Sequence, residues 1–314
     1  MIIQSINNPS KHKTVTVGIP AFNEENNIGE IITRILSQKQ DGFVIEKIII
    51  DSDGSTDGTV GIANQYADKG VEVIDGKTNR GCNYRQNEII SKATSDALVL
   101  MNCDILLGNN NVISALVQPI LNGEADLTAQ WAKPLPPRTL LEQILVVGFD
   151  LKFNIYTRHK NGENLYTCVG HMRALSKKFY SKIQFPLVSE GEDQYLYLAC
   201  KASGYKYKHA LKALAFFRLP STWSDYLPYA KRIFQTQKRH QDIFDDDLLS
   251  EERFLPLITQ IRGCISALIK HPLQTPLYIL LHTAVQRWAL MQSVNFDHTY
   301  EISVSTKEQL SSET

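Results

Sequence analysis

The chain has 314 residues, of which 43% are apolar, enough to bury a substantial core. Its 33 Lys and Arg residues balance its 33 Asp and Glu residues, which gives a net charge of zero. A neutral chain has no long-range field that attracts polyanions, so nucleic acid is not expected as a partner.

The cysteines and the apolar character of the two ends of the chain indicate the cellular compartment in which the protein is expected. The five cysteines are odd in number, widely spaced and without a Cys-x-x-Cys pair, which favours a reducing compartment over a zinc or redox site. Residues 1–13 are polar and lack the apolar region of a signal peptide. The apolar stretch 275–285 is shorter than the about 20 residues of a spanning helix. We therefore expect a cytoplasmic protein that at most lies on a membrane.

The first half of the chain alternates apolar runs with helical periodicity, which predicts βαβ units and a largely parallel sheet. The first strand should end at Pro20, and Asn26 or Asn27 should cap the helix after it. Further predicted elements are a strand over 44–50, a polar turn over 51–58, a helix that carries Val60, Ala63 and Ala67 and ends at Gly70, a strand over 71–74, a helix over 82–93 and a strand over 97–101. The polar ends of these strands should converge on one crevice.

The pattern changes after about residue 125. A Pro-rich loop over 133–137 precedes a predicted helix over 139–158, and another helix should begin at Glu192. Beyond residue 240 the chain reads as amphipathic helices, and the polar segment 303–314 is expected to be disordered.

Five motifs occur in a fixed order along the first two-thirds of the chain. They are Gly18-Ile19-Pro20-Ala21-Phe22-Asn23-Glu24-Glu25, Asp51-Ser52-Asp53-Gly54-Ser55-Thr56-Asp57-Gly58-Thr59, Asn79-Arg80-Gly81 with Arg85 and Asn87, Asn102-Cys103-Asp104, and Glu192-Asp193. In this order and spacing, residues 14–215 resemble the family-2 glycosyltransferases of the GT-A fold.

The resemblance implies an α/β fold with a mostly parallel central sheet flanked by helices and followed by a helical C-terminal extension. The catalytic domain would cover residues 1–240, with a nucleotide-sugar half (14–125) and an acceptor half (126–240), before an extension over 241–302. The implied reaction is an inverting transfer from a nucleotide-sugar, UDP-linked in preference to GDP-linked, to a hydroxyl acceptor. That acceptor would be a sugar, a glycan or a lipid-linked molecule.

The resemblance also assigns donor-binding residues. Those expected to bind the nucleotide-sugar are Pro20, Ala21, Phe22, Glu24, Asp51, Asp53, Asn79, Gly81, Arg85, Asn102 and Arg232. Whether Asp51 or Asp53 contacts the base stays open, because Ser52 separates two acids that are adjacent in the family. The acids of this motif could instead cap the next helix, and Arg85 could be a surface arginine rather than a diphosphate ligand.

The metal motif departs from the usual Asp-x-Asp, because Asn102 stands in place of its first acid. Mg²⁺ or Mn²⁺ often relies on one or two carboxylates plus substrate phosphates, so Asp104 is the expected metal ligand. The alternative is that Asp104 only closes a turn.

Asp193 matches the catalytic base of the family, with Glu192 beside it. Acids in a first helical turn are also stabilised by the helix dipole without any catalysis. Upstream, His171 is either a second acid or base or a structural histidine.

Two segments suggest anionic or lipid partners. The basic cluster around Arg232, which includes Lys231, Lys238 and Arg239, could bind diphosphate or lipid headgroups, or form a solvated helix face. Apolar and basic residues also alternate over residues 254–291 as in interfacial helices, which suggests peripheral membrane contact.

Two other functions stay open. A sugar nucleotidylyltransferase would need a glycine-rich, lysine-bearing first loop, which Pro20-Ala21-Phe22 does not provide. A non-catalytic nucleotide-sugar-binding protein is suggested by the altered metal motif, whereas the presence of Asp193 argues against it.

Overall fold

The computed structural model describes residues 12–187, 191–292 and 304–307. Its main sheet has seven strands in the order β3-β2-β1-β4-β8-β6-β9. These strands are β1 (Lys13–Ala21), β2 (Phe43–Asp53), β3 (Val71–Gly76), β4 (Ala97–Met101), β6 (Leu127–Gln130), β8 (Met172–Ser176) and β9 (Tyr207–His209). The strands from β3 to β4 run parallel, and β8 pairs antiparallel with β4 and β6. The prediction of an α/β fold with a mostly parallel central sheet is confirmed.

A small second sheet joins β5 (Ile105–Leu107), β10 (Ala215–Phe217) and β7 (Lys133–Pro134). Helices cover both faces of the main sheet. They are α1 (Ile28–Leu36), α2 (Thr59–Asn64), α3 (Cys82–Lys92), α4 (Val112–Leu121), α5 (Leu140–Tyr156), α6 (Lys177–Tyr180) and α7 (Glu192–Ala202). Four more helices follow, namely α8 (Trp223–Arg239), α9 (Asp246–Arg253), α10 (Leu257–Lys270) and α11 (Gln274–Met291).

The order of the strands in the main sheet determines where the crevice lies. The chain proceeds from β1 outward to β3 and then returns to β4 on the other side of β1, so a topological switch point lies between β1 and β4. Buried Val and Ile residues of β1 and β2 hold this part of the sheet between helices, with all four isoleucines of α1 buried beneath it. The polar residues that follow β1 and β4 therefore border one opening.

Two strands extend beyond their predicted ends. The second strand was expected to end at Ile50, but β2 continues to Asp53 because Asp51 and Ser52 pair with Pro20 and Ala21 of β1. Pro20 itself lies inside β1. The pairing of β1 with β4 ends at Gly18. Pro20, which has no N–H to donate, therefore interrupts no hydrogen bond to β4.

The predicted helices at residues 82–93, 139–158 and 192 are confirmed, and Thr139 and Glu142 form a capping box at the start of α5. Asn27 occupies the N-cap of α1, although its side chain makes no capping bond. The prediction of disorder is wrong for Val304–Lys307, which form a short 3₁₀ helix held by side-chain bonds; residue 303 and residues 308–314 lie outside the described residues.

The helices after residue 240 pack on earlier ones. α10 and α11 lie against α5, and α11 also lies against α8. α8 lies before residue 240 and α11 after it, and the two pack against each other. The domain boundary expected at residue 240 stays a prediction. Within the described part of the chain, none of the helices is long and apolar enough to cross a membrane.

Candidate active site

The loops that follow β1 and β2 are tied together by hydrogen bonds. The main-chain N–H of Glu24 donates to the hydroxyl of Thr59 at 2.7 Å, and that of Glu25 donates to Asp57 at 3.1 Å. Asp57 also accepts from the N–H of Thr59, the first residue of α2, at 3.0 Å. An acid of this motif therefore does support the next helix, but it is Asp57 and not Asp51 or Asp53.

Asp53 is the centre of a buried ionic cluster. One carboxylate oxygen accepts from Arg85 Nε at 2.8 Å and from the N–H of Arg80 at 2.7 Å, and the other accepts from the N–H of Gly81 at 2.8 Å. Gly81 has a φ of 89°, a conformation that favours glycine. This carboxylate therefore fixes the turn that starts α3.

Arg85 does not have the position expected of a diphosphate ligand. Its side chain is only 4% exposed, and its guanidinium contacts Asp53, Asp51 at 3.5 Å and Glu88 at 2.5 Å. It also donates to the carbonyl of Thr78. The surface-arginine alternative is wrong, because these bonds hold Arg85 inside the protein.

Asp51 is fully buried behind this cluster, and burial raises its pKa to about 7. The buried side-chain oxygen of Asn79 accepts no hydrogen bond within the described ranges, 12–187, 191–292 and 304–307. Asn79 thus offers an acceptor beside the Asp53 turn, while Asp51 is shielded from the crevice.

Glu24 and Asp104 lie close enough to influence each other's charge. Burial and the charge of Asp104 raise the pKa of Glu24, Lys307 opposes both effects, and the net result is a pKa of about 7. Burial also raises the pKa of Asp104, against the charges of Lys307 and Arg232 and a bond from the Asn102 side chain. Asn102 thus contacts the expected metal ligand itself.

Asp193 stands in the first turn of α7. Burial and the charge of Glu192 raise its pKa, Arg173 opposes both, and the net result is a pKa of about 6. A Cβ atom at Gly170 would lie 3.2 Å from a Glu192 oxygen and 3.8 Å from an Asp193 oxygen. Gly170, shortly before β8, therefore borders both acids.

Tyr229 of α8 lies near both Asp104 of the metal motif and Asp193. Burial raises the pKa of Tyr229, the charge of Arg232 lowers it, and the charges of Asp193 and Asp104 raise it. Arg232 also lies over the Tyr229 ring, 5.7 Å from its centroid. Asp104, Asp193 and Arg232 therefore face the same region; the side chains of Lys238 and Arg239 lie outside the described residues.

An aromatic cluster lies within the predicted acceptor half. Trp131 lies 5.4 to 6.1 Å from the rings of Phe149, Phe153 and Tyr156. His171 lies 4.5 Å from the ring of Phe217, and burial followed by the charge of Arg173 lowers the pKa of His171 to about 4. A neutral, half-buried His171 fits the structural alternative and not an acid catalyst.

Comparison with known proteins identifies the family of this chain. The model of glycosyl transferase family 2 matches residues 16–184, more than half of the chain. The chain belongs to glycosyl transferase family 2. The match begins within β1 and ends before α7, so it covers the donor-side motifs but not Asp193.

Related proteins carry the same class of name. A 4,4'-diaponeurosporenoate glycosyltransferase of Staphylococcus aureus is 28% identical over 149 residues, which are 46% of this chain and 37% of that protein. The same values hold for further strains of that species. This family-2 chain thus aligns with little more than a third of the length of these curated relatives.

Solved structures share the fold. A mannosyltransferase from Pyrobaculum calidifontis with GDP-Man and Mn²⁺ has a TM-score of 0.61 at 15% identity, covering 90% of this chain and 85% of its own. Residues 1–349 of Staphylococcus aureus TarS with UDP give 0.53 at 17% identity, with 76% and 70% covered. Glucosyl-3-phosphoglycerate synthase of Mycobacterium tuberculosis, with Mn²⁺, UDP and glucosyl-3-phosphoglycerate, gives 0.51 at 19%, with 74% and 82% covered.

A divalent ion fits the residues at the end of β4 only with help from the substrate. Within the described ranges no group of three or more His, Cys, Asp or Glu could hold a metal ion. Asp104 offers a carboxylate oxygen, the ligand type that Mg²⁺ and Mn²⁺ prefer, and diphosphate oxygens and water would complete the shell. The residues present therefore suit a metal that binds together with the nucleotide.

Sequence reasoning missed two residues of the site. Lys307 lies more than 200 residues from any donor motif, in a polar segment without periodicity. Tyr229 lies three residues before Arg232, outside the five motifs. Neither position carries a local signal, because both reach the crevice through the packing of distant segments.

We predict that Asp53→Asn destabilises the fold by about 3–5 kcal/mol, because it removes one partner of a buried ion pair and turns an amide N–H₂ toward main-chain donors. Urea unfolding measures the difference. Asp75→Asn is the matched control, since Asp75 pairs with Lys77 on the surface, and it should change stability by about 0–1 kcal/mol. Equal stability of the two variants would contradict the structural role of Asp53.

Proposed function

We propose that this family-2 protein transfers a sugar from a nucleotide-sugar, UDP-linked in preference to GDP-linked, to a hydroxyl acceptor with inversion. One observation carries the proposal: Asp193, an acid with a raised pKa, faces the same region as Asp104 at the switch point of the sheet. The donor would bind beyond β1 and β4, with its anomeric carbon toward α7. UDP in two of the similar structures supports the choice of nucleotide.

The chemistry follows from the two acids. The acceptor hydroxyl is a weak nucleophile until a base removes its proton, and Asp193 would do so as the new bond forms. Asp104 would hold Mg²⁺ or Mn²⁺, which would neutralise charge on the leaving diphosphate. A single displacement needs only one base, which supports inversion.

The acceptor would meet the aromatic cluster around Trp131. Flat aromatic faces suit the apolar faces of sugar rings as well as lipid tails. The buried Nε1 of Trp131 has no hydrogen-bond partner among residues 12–187, 191–292 and 304–307, so it offers a donor to a polar group. A glycan or a lipid-linked acceptor is compatible with both features.

The helical extension supports an acceptor at a membrane. α10 packs the small residues Gly263 and Ala267 inward and exposes its large apolar side chains. Those at least 40% exposed on α10 and α11 are Leu257, Ile258, Ile261, Ile265, Leu268, Ile269, Leu277, Ile279, Leu280, Leu290 and Met291. Arg262 and Arg287 are exposed beside them. We propose that this surface rests on the cytoplasmic face of an anionic membrane.

We predict that UDP binds and that Mn²⁺ strengthens its binding, because one carboxylate and the diphosphate would share the ion. Titration calorimetry with UDP and GDP, with and without Mn²⁺, measures this. Absence of binding by both nucleotides would contradict the proposal, and release of pyrophosphate from a nucleoside triphosphate and a sugar phosphate would indicate a nucleotidylyltransferase instead.

We predict that Asp193→Asn slows transfer about 10²- to 10⁴-fold with little change in UDP affinity. The base acts when deprotonated, so the wild-type rate should fall as the pH drops through about 6, and the variant should lose this dependence. Single-turnover rates across pH test both points, with the exposed Asp247→Asn as control. A product that retains the donor's anomeric configuration by NMR would rule out the mechanism.

We predict that Ile265→Glu weakens co-sedimentation with anionic vesicles, because it places a charge on the outward face of α10. Val44→Glu changes a residue of similar exposure on β2 and should bind vesicles like the wild type. Gel filtration checks that neither variant changes its oligomeric state. Vesicle binding that is equal in all three proteins, or absent from the wild type, would contradict the membrane surface.

A further inference from the structure

The short helix Val304–Lys307 is held at the crevice from two sides. Ser305 accepts a bond from the N–H of Ser221 and donates its own N–H to Asp225, both at 3.2 Å, which fixes it to the start of α8. The carbonyl of Lys307 accepts from the side chain of Asn27 at 3.2 Å, at the start of α1. This segment therefore bridges α8 and the loop after β1.

The Lys307 side chain enters the predicted donor site. Its ammonium lies 2.8 Å from Glu24 Oε1 and also donates to the carbonyl of Phe22. Both partners belong to the loop that the sequence assigned to nucleotide binding. The charge of Lys307 also acts on Asp104, the expected metal ligand.

A bound diphosphate would need positive charge at this place. Arg85, the cation that the sequence assigned to it, is enclosed by Asp51, Asp53 and Glu88. Asn102 replaces one acid of the metal motif, so the protein would offer a metal fewer carboxylate ligands than the usual motif does. Lys307 and Arg232 are the cations whose charges act on Asp104.

We propose that Lys307 is a donor-binding residue that contacts the diphosphate of the nucleotide. An ammonium group has three N–H donors. Glu24 and the Phe22 carbonyl take two of them, and the third is available to a phosphate oxygen on the exposed side, where the side chain is 21% accessible. The segment 304–307 thereby forms one wall of the site. This inference rests on the proposed function.

The test compares UDP with uridine, because only UDP carries the diphosphate. Calorimetry on the full chain with Mn²⁺ should show UDP affinity about 10- to 100-fold lower for Lys307→Gln, the loss typical of a charged hydrogen bond. Uridine has no phosphate for Lys307 to contact, so the uridine affinity of Lys307→Gln should stay within about twofold of the wild type. Lys307→Arg should retain most of the UDP affinity, and the exposed Lys212→Gln should match the wild type.

Three results would overturn the inference while leaving the proposed function intact. Unchanged UDP affinity in Lys307→Gln would show that the ammonium does not contact the nucleotide. Higher affinity would show that the segment competes with the donor and acts as an inhibitory latch. Equal losses for UDP and uridine would show that Lys307 only orders the loop after β1. A wild-type protein that binds neither UDP nor GDP overturns the proposed function and this inference together.

Discussion

The carboxylate of Asp53 holds the donor side of the structure together. It joins the end of β2, the turn before α3 and the guanidinium of Arg85 through bonds of 2.7 to 2.8 Å. Buried charges of this kind are stable only when hydrogen bonds satisfy them on several sides, as the main-chain N–H groups of Arg80 and Gly81 do here. The position of the whole crevice wall between β2 and α3 depends on this cluster.

That cluster also divides the charges near the crevice by role. Asp53 and Arg85 satisfy each other and serve the fold, whereas Glu24, Asp104 and Asp193 have raised pKa values because burial is only partly compensated. Imperfectly compensated acids in a crevice are where substrate charge and proton transfer are expected. Lys307 acts on Glu24 and Asp104, and Arg232 acts on Asp104; both come from segments late in the chain, whereas Arg173 of β8 acts on Asp193.

The late helices connect the site with the outer surface. α8 carries Tyr229 and Arg232 toward the crevice, and α11 packs against α8. α10 and α11 also lie against α5, which carries Phe149 and Phe153 of the aromatic cluster. A membrane-bound surface on α10 and α11 would thus lie one helix layer from the proposed acceptor site, a short path for a lipid-linked substrate.

The sequence by itself determined the α/β class, the order of the donor-side strands and helices, and the family, because apolar periodicity and the spacing of motifs are local properties. It also identified Asp104, Asp193 and Arg232, which the structure brings to one region. Only the tertiary structure decided that Arg85 is an internal ion-pair partner, that Asp51 is buried and that Lys307 pairs with Glu24. The reason is physical: whether a charged side chain faces substrate or another side chain depends on what packs against it, and for these residues the partners lie tens to hundreds of positions away in the chain.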